Sequence, residues 1–99
     1  MAERIILSWR DIPAQVIVKA GRRTAKRELP LRFTEAIDMA AMRVGARDSE
    51  AYLAEWRRGE PEPCGDDLEA EADSALAALE AAYPKERLVA LAKNGGLES

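Results

Sequence analysis

The sequence predicts an α+β fold: a small two- or three-stranded antiparallel sheet packed against helices, with a helical C-terminal extension. Three observations carry this. Branched and aromatic residues run together within the first thirty positions, as strands require. From Phe33 onward the apolar residues recur at helical spacing. Between the two helical regions lies Glu60-Pro61-Glu62-Pro63-Cys64-Gly65, a composition typical of a linker. The expected organisation is an α+β domain over 1–58, an acidic Pro/Gly linker over 59–66 and an acidic helical extension over 67–95.

Residues 4–9 (Arg-Ile-Ile-Leu-Ser-Trp) read as a first strand and residues 15–19 as a second. Between them Pro13 lacks an N–H and fixes φ, so a turn or bulge is expected over 10–14. After the turn signal Ala20-Gly21, residues 22–29 fit either a charged edge strand or a short helical turn. Lys and Arg blunt exposed strand edges, and two strands alone are marginal, so the third strand is favoured.

Pro30 ends that stretch. Phe33, Ile37, Ala40, Ala41 and Val44 then fall on one side of a helix over 33–44, with Thr34 as its expected N-cap and Gly45 as its C-cap. Met39 and Met42 sit off this stripe, where they either widen the core face or form a soft contact surface. Asp48-Ser49 is expected to cap a second helix over 50–58, carrying Tyr52, Leu53 and Trp56 and stopped by Gly59. Asp66-Asp67 opens a third helix with the stripe Leu68, Ala72, Leu76, Leu79 and Tyr83, its acids suiting the positive end of the helix dipole. Pro84 begins a last helix, Asn94-Gly95-Gly96 stops it, and the final residues are expected to fray.

The 99 residues make one domain, 47% hydrophobic and 33% charged, which is a globular composition. The net charge of -3 conceals an asymmetry. Residues 1–58 hold 12 Lys and Arg against 8 Asp and Glu, whereas residues 59–99 hold 3 against 10. Such halves either attract each other or face different partners. There is no histidine, so the usual general base near neutral pH is missing, and the single Cys64 forms no internal disulfide. Neither a Cys cluster nor an EF-hand spacing is present, and there is no GxGxxG, Walker or GxSxG motif. No catalytic, metal or cofactor residue is therefore assigned. Acids flank Cys64 and would raise its thiol pKa, against a redox role. The N-terminal apolar run, Ile5 to Leu7, is too short for a signal peptide or a membrane span, which makes the cytoplasm the expected location.

Two surface features remain. Lys19, Arg22, Arg23, Lys26, Arg27 and Arg32 form a basic cluster. It suits phosphate or another anion, a solvated edge, or the acidic back half. The overall acidity, with a pI near 5.0, argues against nucleic acid. Trp9-Arg10-Asp11 and Trp56-Arg57 pair residue types common at interface hot spots, although a chain with five aromatics also needs core anchors. These residues together form the expected interaction surface.

Residues 8–16 (Ser-Trp-Arg-Asp-Ile-Pro-Ala-Gln-Val), 31–42 (Leu-Arg-Phe-Thr-Glu-Ala-Ile-Asp-Met-Ala-Ala-Met) and 49–57 (Ser-Glu-Ala-Tyr-Leu-Ala-Glu-Trp-Arg) resemble the small bacterial "virulence factor" domain family. The likeness is to its stand-alone, mostly alphaproteobacterial form. A similar domain lies within conserved virulence factor C of Gram-positive bacteria, beside a scaffold domain like that of iron–sulfur assembly proteins. The matching motifs cover about 4–58. The resemblance implies an accessory or interaction role on a larger bacterial protein, with no catalytic residues to carry over. It also suggests a subunit of corrinoid or folate methyl transfer, in which Arg10 and the Arg22–Arg27 cluster would hold an anionic cofactor tail.

Overall fold

The computed structural model describes residues 2–45 and 49–98, and among these the chain forms five strands and four helices. In order they are β1 (Ala2–Trp9), β2 (Ile12–Ala20), β3 (Arg23–Glu28), α1 (Leu31–Arg43), α2 (Ser49–Ala54), β4 (Trp56–Arg58), β5 (Glu62–Cys64), α3 (Leu68–Ala82) and α4 (Lys85–Lys93). The class is α+β as the sequence predicts, with a larger sheet than the two or three strands expected.

The first three strands form an antiparallel meander, β1 against β2 and β2 against β3, so the 22–29 stretch contains a strand, Arg23–Glu28, and not a helical turn. The hairpin turn is Arg10-Asp11 alone, and β2 starts already at Ile12. Pro13 sits inside β2 beside a register shift, since Leu7 pairs Gln15 while Ser8 pairs Pro13. A bulge is where a strand tolerates a residue without an N–H.

The other edge of β1 holds the main correction. Trp56 does not continue a helix over 50–58. The chain leaves α2 at Ala54 and runs as β4 beside Leu7–Trp9, then as β5 beside Ala2–Arg4. Residues 59–61 face only Ile5 and Ile6 between the two paired stretches, so β4 and β5 are one edge strand interrupted by a one-residue bulge. Gly59 donates its N–H to Ile6 O at 2.9 Å, and a Cβ there would stand 3.1 Å from the same oxygen. Residues 62–64 of the expected linker are thus sheet. The unpaired polar groups along β1 need partners, and an edge strand accepts Pro63, whose missing N–H matters least there.

Two apolar clusters hold the layers. α3 lies on one sheet face, packing Leu68, Ala72 and Ala75 against Ala2, Val16, Val18 and Ala25. α1 and α4 pack on each other at the hairpin end, where Phe33, Ile37, Ala40, Leu88 and Leu91 surround Trp9 and Ile12. Leu79 touches both clusters. The C-terminal helices therefore complete the core of the front half.

The helix ends divide between expectation and correction. Asp67 caps α3, its carboxylate accepting from Ala70 N at 3.1 Å. Past α4, Gly95 N–H reaches Ala92 O and Gly96 N–H reaches Leu91 O, both glycines at positive φ. That is the paired bonding that ends a helix on a left-handed glycine. Gly45, at φ 75°, follows the C-cap Val44 of α1. Thr34 is not the N-cap of α1. The helix begins at Leu31 after Pro30, which offers no side-chain cap. Asp48, and the side chain of Ser49, lie outside the described residues. The tail does not fray through Glu98: Gly95 and Gly96 are buried, and Glu98 N–H donates to Asp11.

Candidate functional site

The Arg10-Asp11 turn is a clasp. Arg10 occupies a left-handed conformation, φ 53°, at the first position of a two-residue hairpin turn, where glycine is usual. Its backbone N–H reaches Glu55 O at 3.0 Å, its Nε donates to Glu55 Oε1 at 2.6 Å, and its Nη1 donates to Gly95 O at 2.9 Å. Asp11 N–H donates to Gly96 O at 2.8 Å, and Asp11 Oδ2 accepts from Glu98 N at 2.7 Å. One turn thus joins the hairpin, the start of β4 and the end of the chain.

Trp9 lies beneath the clasp with no exposed surface. Its indole N–H donates to Tyr52 O at 2.9 Å, its ring stacks on Tyr52, and Gly96 presses on its other atoms closely enough that a Cβ would come within 3.1 Å. The structure removes Trp9 from the expected interaction surface. Trp56 is its register partner on β4, half-buried and edge-on to Tyr52. The two tryptophans do meet, as part of the core. Partial burial, reinforced by Asp38, raises the Tyr52 phenol pKa. Arg57 is exposed, with Nη1 3.5 Å from Asp11 Oδ1.

The basic cluster does not stay together. Strand alternation sends Arg23, Ala25 and Arg27 toward α3 and Lys26 to the opposite face, opposite Ile17. Arg27 bonds Asp73 at 2.8 Å and Glu69 at 3.3 Å, and these carboxylates raise its pKa further. Arg32 donates Nη2 to Glu80 O at 3.1 Å and lies over the Phe33 ring. For Arg27 the acidic back half supplies carboxylate partners, whereas Arg32 meets a backbone carbonyl there. Arg22, Arg23 and Lys26 remain exposed.

A different surface lies on α1. Leu31, Met39 and Met42 are 71%, 50% and 65% exposed and, with Glu35, follow one row of the helix. α4 runs beside this row, and the pair enclose two adjoining hollows of about 230 and 280 Å³ that share Met39 and Ala92. Arg32, Glu35, Lys85, Leu88 and Val89 line the first; Met42, Arg43 and Lys93 line the second. Among the described residues no ion pair takes up Arg32, Arg43, Lys85 or Lys93. The two methionines were visible off the helical stripe in sequence, but their neighbour on α4 was not.

Among the described residues no group of three or more His, Cys, Asp or Glu is placed to hold a metal ion, and no helix is long and apolar enough to cross a membrane. Cys64 on β5 is half-buried against the α3 cluster. Partial desolvation, then the nearby Glu71, raises its thiol pKa, the direction expected from its acidic sequence neighbours.

These features define a small α+β domain whose signature hairpin is a structural clasp and whose open apolar surface is a helix-pair groove. The chain belongs to the family described as Virulence factor, whose sequence model matches residues 7–92. That span crosses Gly59 and takes in both sheet and back helices, further than the motifs over 4–58. No curated protein and no solved structure matches the chain.

Proposed function

We propose that this domain is a protein-interaction module without a catalytic site of its own, accessory to a larger bacterial protein, and that it docks through the α1–α4 face. The observation that carries this is the row Leu31, Met39 and Met42, left open beside a groove while Trp9 and Phe33 are fully buried. Exposed apolar groups gathered beside a concavity mark contact surfaces more often than scattered ones do. Methionine suits such a surface because its unbranched thioether adapts to what it meets. The Trp9-Arg10-Asp11 turn supports the reading indirectly: its polar groups are engaged within the chain, which leaves less of it to offer a partner.

Site-specific photocrosslinking in the cells of origin tests this. A photoreactive residue in place of Met39 is expected to give one discrete higher-mass product, lost when Met42→Glu is added. The same residue in place of Arg22 is expected to give none. No product from position 39, or equal products from both positions, would sink the reading.

A further inference from the structure

We propose that the occupant of the α1–α4 groove is an acidic amphipathic helix supplied by another protein, an inference that rests on the docking reading above. Charge is the first argument. The whole chain is net -3, yet the groove is lined by Arg32, Arg43, Lys85 and Lys93 against Glu35 alone. Asp38 and Glu86 are exposed nearby on the same two helices but do not line the hollows. Other arginines of this domain have carboxylate partners, as Arg4, Arg10, Arg27 and Arg87 do, whereas the four groove cations have none among the described residues.

Shape is the second argument. The cations stand in two pairs at opposite ends, Arg32 with Lys85 and Arg43 with Lys93, and the apolar floor of Met39, Val89 and Ala92 lies between them. From Arg32 to Arg43 the groove follows α1 for about 17 Å, which is three turns of a docked helix. A helix of that length presents an apolar strip with acidic residues along its margins, the arrangement that fills an apolar groove with cationic ends. Carboxylates there would meet cations that lack a carboxylate partner among the described residues, Arg32 having only a backbone carbonyl, Glu80 O, as its hydrogen-bond acceptor. A basic helix would meet like charge, which costs affinity. A membrane surface fits less well, because the floor is concave and its apolar residues lie between the cations.

Two designed helical peptides of about three turns, with the same apolar strip and either Glu or Lys at the margins, provide the probe. Fluorescence anisotropy with the full chain is expected to show the Glu peptide binding at least tenfold tighter than the Lys peptide, a gap that narrows as salt is raised. The double variant Lys85→Glu plus Lys93→Glu is expected to reverse the preference. Met39→Glu is expected to weaken both peptides, while its circular dichroism and melting temperature stay those of the parent, since Met39 is half exposed. Equal affinity for the two peptides, or an unreversed preference in the double variant, overturns the acidic helix. Sedimentation with phosphatidylserine vesicles that Met39→Glu abolishes, with neither peptide bound, overturns it in favour of a membrane. A crosslink from position 39 that persists while the Glu peptide fails leaves docking intact and removes only this occupant; loss of the crosslink removes the docking face itself.

Discussion

Arg10 shows two local effects opposed within one residue. Its φ of 53° is a conformation that costs a non-glycine residue about 1 kcal/mol. Against that strain stand two side-chain hydrogen bonds, to Glu55 Oε1 and to Gly95 O, and a guanidinium 5.3 Å from the Trp9 ring centroid. Hydrogen bonds to a charged group contribute about 1.5–3 kcal/mol each when little exposed. The contacts therefore outweigh the strain. Arg10→Gly is expected to lower stability by about 2 kcal/mol, the strain relief included, read as a shifted midpoint in urea unfolding. An unchanged or higher midpoint would mean that the turn, and not the clasp, sets the energy. The sequence made this residue conspicuous through its place between Trp9 and Asp11. It could not show the residue's purpose, because the acceptor Gly95 O lies 85 positions along the chain.

At the scale of elements, those governed by their own residues were legible and those governed by a distant edge were not. α1 announces itself because Phe33, Ile37, Ala40 and Ala41 repeat at helical spacing and all are buried. β3 was readable from Lys and Arg on an edge. β4 was not, because Tyr52, Leu53 and Trp56 also fit a helix. What decides Trp56 is the open side of β1, which no local pattern encodes. The groove was half legible for the same reason: Met39 and Met42 stood off the stripe, and only the fold brings α4 beside them. α3 is a case where local chemistry suffices. Its N-cap Asp67 accepts from Ala70 N, and Glu71 Oε1 accepts from Gly65 N at 2.9 Å. Replacing a capping Asp by Ala costs about 1 kcal/mol, whereas Asn caps equally well. Asp67→Ala is thus expected to lower the unfolding free energy by about that amount and Asp67→Asn to leave it nearly unchanged. Equal losses in both variants would mean that charge near the helix dipole, and not the cap hydrogen bond, is what Asp67 provides.

The opposed charges of the two halves acquire a physical meaning in the whole molecule. Arg27 on β3 meets Asp73 and Glu69 on α3, and Arg4 on β1 meets Glu62 on β5 at 2.9 Å. Exposed pairs of this kind are worth little in stability, so the attraction orients the back half more than it holds it. The cohesion is apolar. One cluster requires Leu68, Ala72 and Ala75 of α3 to cover Val16 and Val18; the other requires Leu88, Leu91 and Ala92 of α4 to cover Trp9, Phe33 and Ile37. Removing the back helices would expose both at once. Uncovering large apolar side chains costs about 1.5–3 kcal/mol apiece, and several such losses match the roughly 5–15 kcal/mol by which a domain is stable. A fragment of residues 1–58 would also leave half of the β1 edge without β5. That fragment is accordingly expected to give no cooperative urea transition and no fixed near-ultraviolet signal from Trp9, whereas the full chain unfolds in one step whose fluorescence and circular dichroism transitions coincide. A sigmoidal transition in the fragment, with the tryptophan signal of the full chain, would show instead that the front half folds alone and that α3 and α4 are additions to it.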